Sequence, residues 1–141
     1  MLQLSEAFAG HDAFYFCYDA DTTRRLPNAY LVPNKPYSPV RFVLNLVKLT
    51  GIFRRERPDC IVSTGAELAI PAFIIAWLLR IPRLYIECGA QVTHPSLTGK
   101  LMVRLSTSFF VQWPELLEFY GPRARYCGSL IDETDPEATA R

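Results

Sequence analysis

Short apolar runs alternate with longer helical patterns along this chain, and that alternation limits the possible fold more than any other feature. The runs predicted as strands cover residues 13–18, 29–32, 60–62, 83–87, 108–112 and 125–127. The helical patterns between them cover residues 40–57, 67–80, 97–105 and 114–120. Strands that are apolar on both faces and separated by helices are typical of a parallel sheet covered on both sides. The predicted fold class is therefore α/β, a Rossmann-like parallel sheet with right-handed crossovers.

The length of 141 residues is that of one domain and is small for a complete two-lobed enzyme. We predict a single Rossmann-like domain over residues 1–131, followed by a flexible acidic tail at 132–141 that is poor in apolar residues. The chain opens on a helical pattern that ends at Gly10, where a doubly wound domain normally opens on a strand and a Gly-rich turn. The domain is thus expected to be incomplete at its N-terminus.

Composition excludes several function classes. The 15 Lys and Arg residues are balanced by 14 Asp and Glu residues, a net charge of +1 that argues against nucleic-acid binding. The four cysteines have no C-x-x-C spacing and there are two histidines, so neither a structural zinc site nor another metal or cofactor is predicted. Cys17 and Cys60 fall in apolar runs and are expected to be buried free thiols.

The longest apolar run covers residues 68–79 and is too short to span a bilayer, which needs about twenty residues. The basic helix at 40–57 has an apolar face wider than a core stripe requires. It either lies in a membrane interface, with Arg41, Phe42, Leu46 and Lys48 as contacts, or is a core helix with a solvated charged face. The start of the chain has no signal-peptide pattern, which favours a cytosolic location.

Two strand-to-helix loops are candidate sites, because ligands bind beyond the carboxyl ends of parallel strands. In the first, Ser63-Thr-Gly-Ala-Glu67, the small residues around Gly65 let backbone N–H groups approach an anion, although any tight turn needs small residues. In the second, Glu87 ends an apolar strand and precedes a polar loop. That carboxylate is a candidate base or acceptor for a sugar hydroxyl.

Several blocks follow one another in a specific order between residues 60 and 131. They are Ser63-Thr-Gly65 with Pro71, the strand ending in Glu87, Pro95-Ser-Leu-Thr-Gly-Lys-Leu101, Val111-Gln-Trp-Pro-Glu115 and Tyr126-Cys-Gly128. In order and spacing they resemble the asparagine-linked glycosylation protein 14 family and its bacterial relatives in exopolysaccharide synthesis. The stretch at 19–34 is similar to the bacterial branch.

The resemblance implies the N-terminal lobe of a GT-B glycosyltransferase made as a separate chain. It implies two partners: a UDP-sugar-binding glycosyltransferase subunit and a polyprenyl-diphosphate-linked acceptor at the cytoplasmic face of the membrane. The reaction would transfer GlcNAc or GlcA from UDP, without a bound metal in this lobe. Glu87 is the candidate catalytic residue, and the candidate substrate-binding residues are Gly65, Gln91, Ser96, Thr98 and Lys100.

Two departures from the family pattern leave alternatives open. Gln91 stands where the family usually has an arginine, and an amide cannot clamp a diphosphate as a guanidinium does. The family's opening strand and Gly-Gly-His loop are absent from this sequence, so catalytic groups could lie in that block or in the partner. The alternatives are a non-catalytic scaffold that anchors its partner and a free-standing nucleotide-binding enzyme.

Overall fold

A computed structural model of the chain describes residues 4, 6–34, 38–65, 67–92 and 94–130. Its strands are β1 (Tyr15–Tyr18), β2 (Ala29–Val32), β3 (Ile61–Ser63), β4 (Arg83–Ile86), β5 (Ser108–Val111) and β6 (Ala124–Tyr126). Its α-helices are α1 (Pro39–Glu56), α2 (Ala69–Leu78), α3 (Leu97–Leu105) and α4 (Leu117–Tyr120). Single 3-10 turns lie at Glu6–Phe8, Thr23–Arg25, Pro114–Leu116 and Gly121–Arg123.

The strands form two parallel sheets, which confirms the predicted fold class. One sheet pairs β1 with β2, and the other has four strands in the order β3-β4-β5-β6. Ser63 at the end of β3 lies opposite Tyr85, and Ile86 at the end of β4 lies opposite Phe110. Parallel pairing requires a crossover between successive strands, and α2, α3 and α4 supply it in the larger sheet. The loops that follow β3 and β4 therefore lie at the same edge.

The larger sheet has a core of aromatic side chains. Tyr85 on β4 stacks on Phe109 of β5 with ring centroids 5.2 Å apart, and Phe73 of α2 meets Tyr85 edge-on at 6.0 Å. Met102 of α3 and Leu116 are fully buried in the same cluster. Such pairs contribute about 0.5–1.5 kcal/mol each beyond the area that they bury. This packing holds the ends of β4 and β5 in a rigid frame.

A second core cluster links the two sheets. It consists of Leu49 and Phe53 from α1 with Ile75 and Ala76 from α2, and Phe16 of β1 and Ile61 of β3 both pack against it. Both sheets thus share one layer of helices. Within the described residues no hydrogen-bonded ladder joins β1 to β3.

One local prediction, that Cys60 is buried, is wrong. Cys60 is exposed, because it lies just before β3 and not inside it. Ser38 holds the N-cap position of α1 but its side chain makes no capping hydrogen bond. Leu46, predicted as a membrane contact, packs partly against the second core cluster. The exposed apolar residues of α1 are instead Val40, Val43, Leu44 and Val47.

The predictions for the two ends of the chain are only partly covered by the described residues. Gly10 has a φ of 84° after the 3-10 turn, a backbone conformation suited to a glycine cap. Residues 131–141 lie outside the described part, so the flexible acidic tail stays a prediction, as does the incomplete N-terminus. Among the described residues, no helix combines the length and apolar character needed to cross a bilayer.

Candidate functional site

Glu87 lies one residue beyond β4 and is fully buried, with 0% of its surface exposed. Its backbone N–H donates to the Phe110 carbonyl at 2.8 Å, which continues the pairing of β4 with β5 past the end of the strand. The aromatic core beneath fixes both strands, so the backbone carries the carboxylate into the interior. Burial of a charged group is costly unless hydrogen bonds offset its desolvation.

Three donors surround the Glu87 carboxylate. Ser96 Oγ lies 2.9 Å from Oε1 and 3.1 Å from Oε2, the backbone N–H of Cys88 donates to Oε1 at 2.9 Å, and the Tyr120 hydroxyl donates to Oε2. No buried side-chain nitrogen or oxygen among the described residues lacks a partner. Each hydrogen bond to a charged group contributes about 1.5–3 kcal/mol. Together the three bonds offset the cost of removing this carboxylate from water.

Ser96 connects the carboxylate to the start of α3. Its side chain accepts the backbone N–H of Gly99 at 2.7 Å, the bond expected of an N-cap residue. The same hydroxyl donates its proton to Glu87. One serine therefore ties the first turn of α3 to the residue that follows β4.

Gly99 is buried in the first turn of α3, at a place where no larger side chain fits. A Cβ at this position would overlap both the Glu87 carboxylate and the Tyr120 hydroxyl. The close approach of the helix backbone to these two groups thus requires glycine. This steric demand, and not a turn, accounts for the glycine at position 99.

Two tyrosines next to the carboxylate are held in their neutral, donating form. Burial raises the pKa of Tyr120 above its ordinary value, and its hydrogen bond to Glu87 raises it further. Burial also raises the pKa of Tyr85, with a further contribution from the charge of Glu87, while a hydrogen bond with Ser96 acts in the opposite direction. Both hydroxyl groups remain protonated at neutral pH.

Two side chains after β5 hold the backbone around Glu87. Gln112 is buried, donates from Nε2 to the Glu87 carbonyl at 2.9 Å, and accepts from the Leu130 N–H at 3.0 Å. Trp113 donates from its indole N–H to the Gly89 carbonyl at 2.7 Å. Gln112 and Trp113 therefore hold the backbone at Glu87 and Gly89, while Ser96 holds the Glu87 carboxylate.

The structure places several predicted substrate-binding residues around this network. Gly65 has a φ of 115°, and a Cβ added there would lie 3.7 Å from the Tyr85 hydroxyl. Thr98 is half-buried and Lys100 is exposed, both in the first turns of α3. Gln91 is half-buried in the loop after β4. Glu87, Ser96 and Gly65 thus share one neighbourhood, with Tyr85 between the two loops.

The predicted membrane contacts lie on α1, away from the Glu87 network. Arg41 and Phe42 are half-buried and Lys48 is exposed. They border a separate cavity beyond β1 and β2, where the Tyr18 hydroxyl donates to the carboxylate of Glu67. Burial, followed by this hydrogen bond, raises the pKa of Tyr18.

Sequence reasoning missed the residues that make Glu87 a network. Tyr120 is 33 residues away along the chain and lies in a short helix, so no local pattern pairs the two. Gln112 and Trp113 do belong to the Val111-Gln-Trp-Pro block, but spacing alone does not show that they hold the backbone of another loop. As positioned, the carboxylate fixes a loop and a helix start and has no exposed surface for a ligand.

The chain is similar to known proteins over most of its length. Residues 20–130, well over half of the chain, match the model of the family described as "Oligosaccharide biosynthesis protein Alg14 like". The UDP-N-acetylglucosamine transferase subunit ALG14 of Yarrowia lipolytica is 31% identical over 102 residues, which are 68% of this chain and 47% of that protein. The human ALG14 subunit is 31% identical over 86 residues, 57% of this chain and 39% of that protein.

The chain is also similar to a bacterial transferase and to a solved structure. The UDP-N-acetylglucosamine–N-acetylmuramyl-(pentapeptide) pyrophosphoryl-undecaprenol N-acetylglucosamine transferase of Symbiobacterium thermophilum is 33% identical over 86 residues, 61% of this chain and 22% of that protein. The crystal structure of Acinetobacter baumannii MurG superposes with a TM-score of 0.71 at 16% identity, over 94% of this chain and 41% of that chain.

These likenesses bear on the fold and on the family. The MurG superposition confirms the Rossmann-like lobe. At this low sequence identity the structural likeness shows the fold alone. The chain spans less than half the length of the curated relatives described above. The resemblance predicted from the sequence is confirmed by the family match, and the chain belongs to the Alg14-like family of oligosaccharide biosynthesis proteins.

Proposed function

We propose that this chain is the membrane-associated, acceptor-side subunit of a two-chain UDP-sugar glycosyltransferase. The reaction would extend a polyprenyl-diphosphate-linked sugar with GlcNAc or GlcA, in lipid-linked oligosaccharide or exopolysaccharide synthesis. The observation that carries the proposal is the family match over residues 20–130. Relatives named as UDP-N-acetylglucosamine transferase subunits favour GlcNAc as the sugar, and a relative named for a pyrophosphoryl-undecaprenol substrate favours a lipid diphosphate acceptor.

In this proposal Glu87 acts by position and not as the base. Its carboxylate is fully buried and bound by Ser96 and Tyr120, so it sets where α3 begins. Thr98 and Lys100 then follow in the first turns of α3. We propose that Lys100, with Thr98, Gln91 and the Gly65 loop, faces the acceptor, with Lys100 supplying a positive charge for a phosphate.

The membrane contact would be made by the first half of α1. There Arg41 and Lys48 accompany four exposed apolar residues, Val40, Val43, Leu44 and Val47. A helix with cations beside an exposed apolar stripe gains free energy both from burial in the interface and from anionic lipid. We propose that the protein lies on the cytoplasmic face of the membrane in this way, with Leu46 turned toward the core.

The test is a transferase assay on the complex of this chain with its UDP-sugar-binding partner. UDP-GlcNAc and UDP-GlcA are supplied separately, with a polyprenyl-diphosphate-linked sugar in detergent. Lys100→Ala should raise KM for the acceptor about tenfold, the loss of one charge-assisted hydrogen bond. Arg104→Ala, an exposed cation in the last turn of the same helix, is the matched control and should leave KM unchanged. Equal effects of both variants would contradict the proposal.

The buried carboxylate gives some weight to the scaffold alternative, in which all catalytic groups belong to the partner. Full activity of the partner alone on a detergent-soluble acceptor would establish that reading. Glu87→Gln separates positioning from base catalysis. Loss of a general base lowers kcat by about 10²–10⁴-fold, whereas a positioning role predicts that this near-isosteric variant keeps kcat within about tenfold. UDP-sugar binding by this chain alone would favour the free-standing enzyme instead.

A further inference from the structure

Two glutamates follow neighbouring strands at the carboxyl edge of the larger sheet, and they differ in what they leave for a ligand. Glu87, after β4, is fully buried and accepts hydrogen bonds from Ser96, Tyr120 and the Cys88 N–H. Glu67, in the segment after β3, is half-buried and borders the cavity of about 450 Å³ beyond β1 and β2. Of these two carboxylates, that of Glu67 is the one a ligand can reach.

The partners of Glu67 leave part of its carboxylate open. The Tyr18 hydroxyl donates to Oε1, and its raised pKa keeps this donor neutral. Within the described residues, no ion pair joins Glu67 to Arg41 or Lys48, the cations of the same cavity. A carboxylate has about four lone-pair positions for donors. The second oxygen of Glu67 therefore keeps the capacity to accept a hydrogen bond from a ligand.

Tyr18 is held in place at the end of β1. Its carbonyl accepts the Thr23 hydroxyl at 2.6 Å, and the next residue, Asp19, donates its N–H to the Val32 carbonyl at 2.8 Å. In the described part of the chain no backbone ladder joins β1 to β3, so the Tyr18–Glu67 hydrogen bond links the two sheets directly at this edge. Glu67 is thus fixed by a group from outside its own loop.

The loop that carries Glu67 is also fixed from within. Ser63 Oγ accepts the Gly65 N–H at 3.3 Å and donates to the Gly65 carbonyl at 3.1 Å. A Cβ on Gly65 would come within 3.7 Å of the Tyr85 hydroxyl, so the loop rests on β4. A group held in this way loses little conformational freedom when it binds a ligand.

The charge and place of Glu67 decide which chemical groups it fits. Glu67 lies just before α2, and a helix N-terminus by itself favours an anion. A carboxylate at that place repels a phosphate and accepts hydroxyl protons instead. The cavity that it borders has a volume within the range of small-molecule sites, about 300–1,000 Å³. The matching ligand is a sugar hydroxyl.

We propose that Glu67 binds a hydroxyl group of the acceptor's sugar and that Tyr18 is the residue that positions it. The inference rests on the proposed function, because the sugar is the one carried by the polyprenyl diphosphate acceptor. It adds the carboxylate that recognises this sugar. Such an O–H···O⁻ bond is charge-assisted and is about twice as strong as a neutral one.

Tyr30 and Glu56 form a matched control pair. The Tyr30 hydroxyl donates to the carboxylate of Glu56, which is half-buried like Glu67. Glu56 is the last residue of α1, which runs from the carboxyl end of β2 back toward the start of β3. The control pair therefore has the same chemistry at the opposite edge.

The first experiment measures binding of the full-length chain to two lipids in detergent: polyprenyl diphosphate that carries GlcNAc, and polyprenyl diphosphate without a sugar. The unmodified chain should bind the sugar-bearing lipid about tenfold more tightly, because one charge-assisted hydrogen bond is added. Glu67→Gln should reduce this ratio to less than about threefold, and Glu56→Gln should leave it unchanged. The ratio of two affinities does not depend on the folded fraction. No preference in the unmodified chain, or an undiminished preference in Glu67→Gln, would overturn the proposal.

The second experiment uses the complex with the UDP-sugar-binding partner. Glu67→Gln should raise KM for the acceptor about tenfold and keep kcat within about threefold. A fall in kcat of about 10²–10⁴-fold would indicate a general base and would refute a binding role.

The positioning role of Tyr18 is tested by combining variants. Tyr18→Phe should raise KM about threefold, and adding it to Glu67→Gln should raise KM no further, because Tyr18 acts through Glu67. Additive effects would refute the positioning role. Tyr30→Phe removes an equivalent hydroxyl and should leave KM unchanged. Thermal unfolding of each variant shows that it is folded before its kinetics are compared.

Failure of this inference and failure of the proposed function give different results. Sugar transfer by a complex whose KM does not respond to Glu67→Gln would remove the role of Glu67 and leave the function. A preference for the sugar-bearing lipid that depends on Glu67, in a complex that transfers no sugar, would do the reverse.

Discussion

Helices α1 and α3 each begin directly after a serine, but the two serine side chains differ in their hydrogen bonds. Ser96 accepts the Gly99 N–H and donates to a buried carboxylate, whereas the side chain of Ser38 makes no capping hydrogen bond. The comparison shows that a serine before a helix marks where the helix begins and does not show how firmly that start is held. The firmness depends on partners far away in the chain.

The two helices also differ in what their first turns face. In α3 the first turn is closed over Glu87 so tightly that only glycine fits at position 99. In α1 the fully buried residues Leu49, Ile52 and Phe53 all lie in the second half. The first half leaves Phe42 and Leu46 half-buried and exposes its other apolar residues. We infer that α3 is a fixed part of the site and that the first half of α1 is a surface for another molecule.

The largest expected effect on the free energy of unfolding comes from replacing Gly99 by alanine, and the same replacement at Gly51 is the comparison. Gly99→Ala should destabilise the fold by about 3 kcal/mol, since the new Cβ overlaps two buried and mutually bonded groups. Gly51→Ala in α1 meets no atom within 4 Å and should stabilise the fold by about 0.5–1 kcal/mol, because alanine is the better helix former. Urea unfolding of both variants measures the difference. A Gly99→Ala variant as stable as the unmodified chain would refute the close approach.

Tyr120→Phe should have the next largest effect, about 1–3 kcal/mol at neutral pH, because the Glu87 carboxylate loses a buried donor. Tyr126→Phe, on the exposed end of β6, is the control and should change stability by less than about 0.5 kcal/mol. The same urea titration, run for the two variants side by side, measures both. A Tyr120→Phe loss no larger than that of the control would show that the donor is dispensable.

The pH dependence of Tyr120 follows from the direction of its shift. Its folded-state pKa is raised above the unfolded value of about 10, by burial first and by the Glu87 hydrogen bond second. The stabilisation by the neutral hydroxyl is therefore fully present below pH of about 10 and is lost as the pH rises from there through the folded-state pKa. Tyr120→Phe should make the alkaline loss of stability less steep than in the unmodified chain. An unchanged slope above pH of about 10 would contradict this account.

The smallest effect is expected at Ser38, and the same substitution at both serines compares the two caps directly. Ser96→Ala should cost at least as much as Tyr120→Phe, about 1–3 kcal/mol, since it removes both a cap and a donor to Glu87. Ser38→Ala should be close to neutral, because there is no capping bond to lose. Thermal unfolding of the pair measures the contrast. Equal losses would mean that helix starts in this protein are held by backbone propensity alone.

Much of the fold follows from local patterns that the sequence shows directly. Apolar runs at 83–87 and 108–112 predicted β4 and β5, because a strand buried on both faces has to be apolar throughout. The helix at 40–57 was predicted within one residue at each end, since Pro39 and Pro58 limit it. Cys60 was misjudged, because one residue of difference in where a strand starts decides whether a thiol is covered.

The site was less predictable, because its essential contacts are long-range. Glu87, Ser96 and Gly65 were selected from strand ends and turn composition, and they do lie near one another. That Glu87 is sealed by Tyr120 depends on α4 packing back over β5, and no short-range pattern encodes that distance. On α1, Leu46 packs partly against the core while its neighbour Val47 is exposed, since the angle at which a helix packs sets which of two adjacent apolar residues is covered.

The sequence by itself determined the fold class, the family and the edge of the sheet where polar residues collect, because periodicity and block order are local properties of the chain. Only the tertiary structure decided that the serine before α3 is locked to a buried carboxylate and that the serine before α1 is not. The physical reason is that a hydrogen bond or an overlap between residues 87, 99 and 120 exists only once strands and helices have packed.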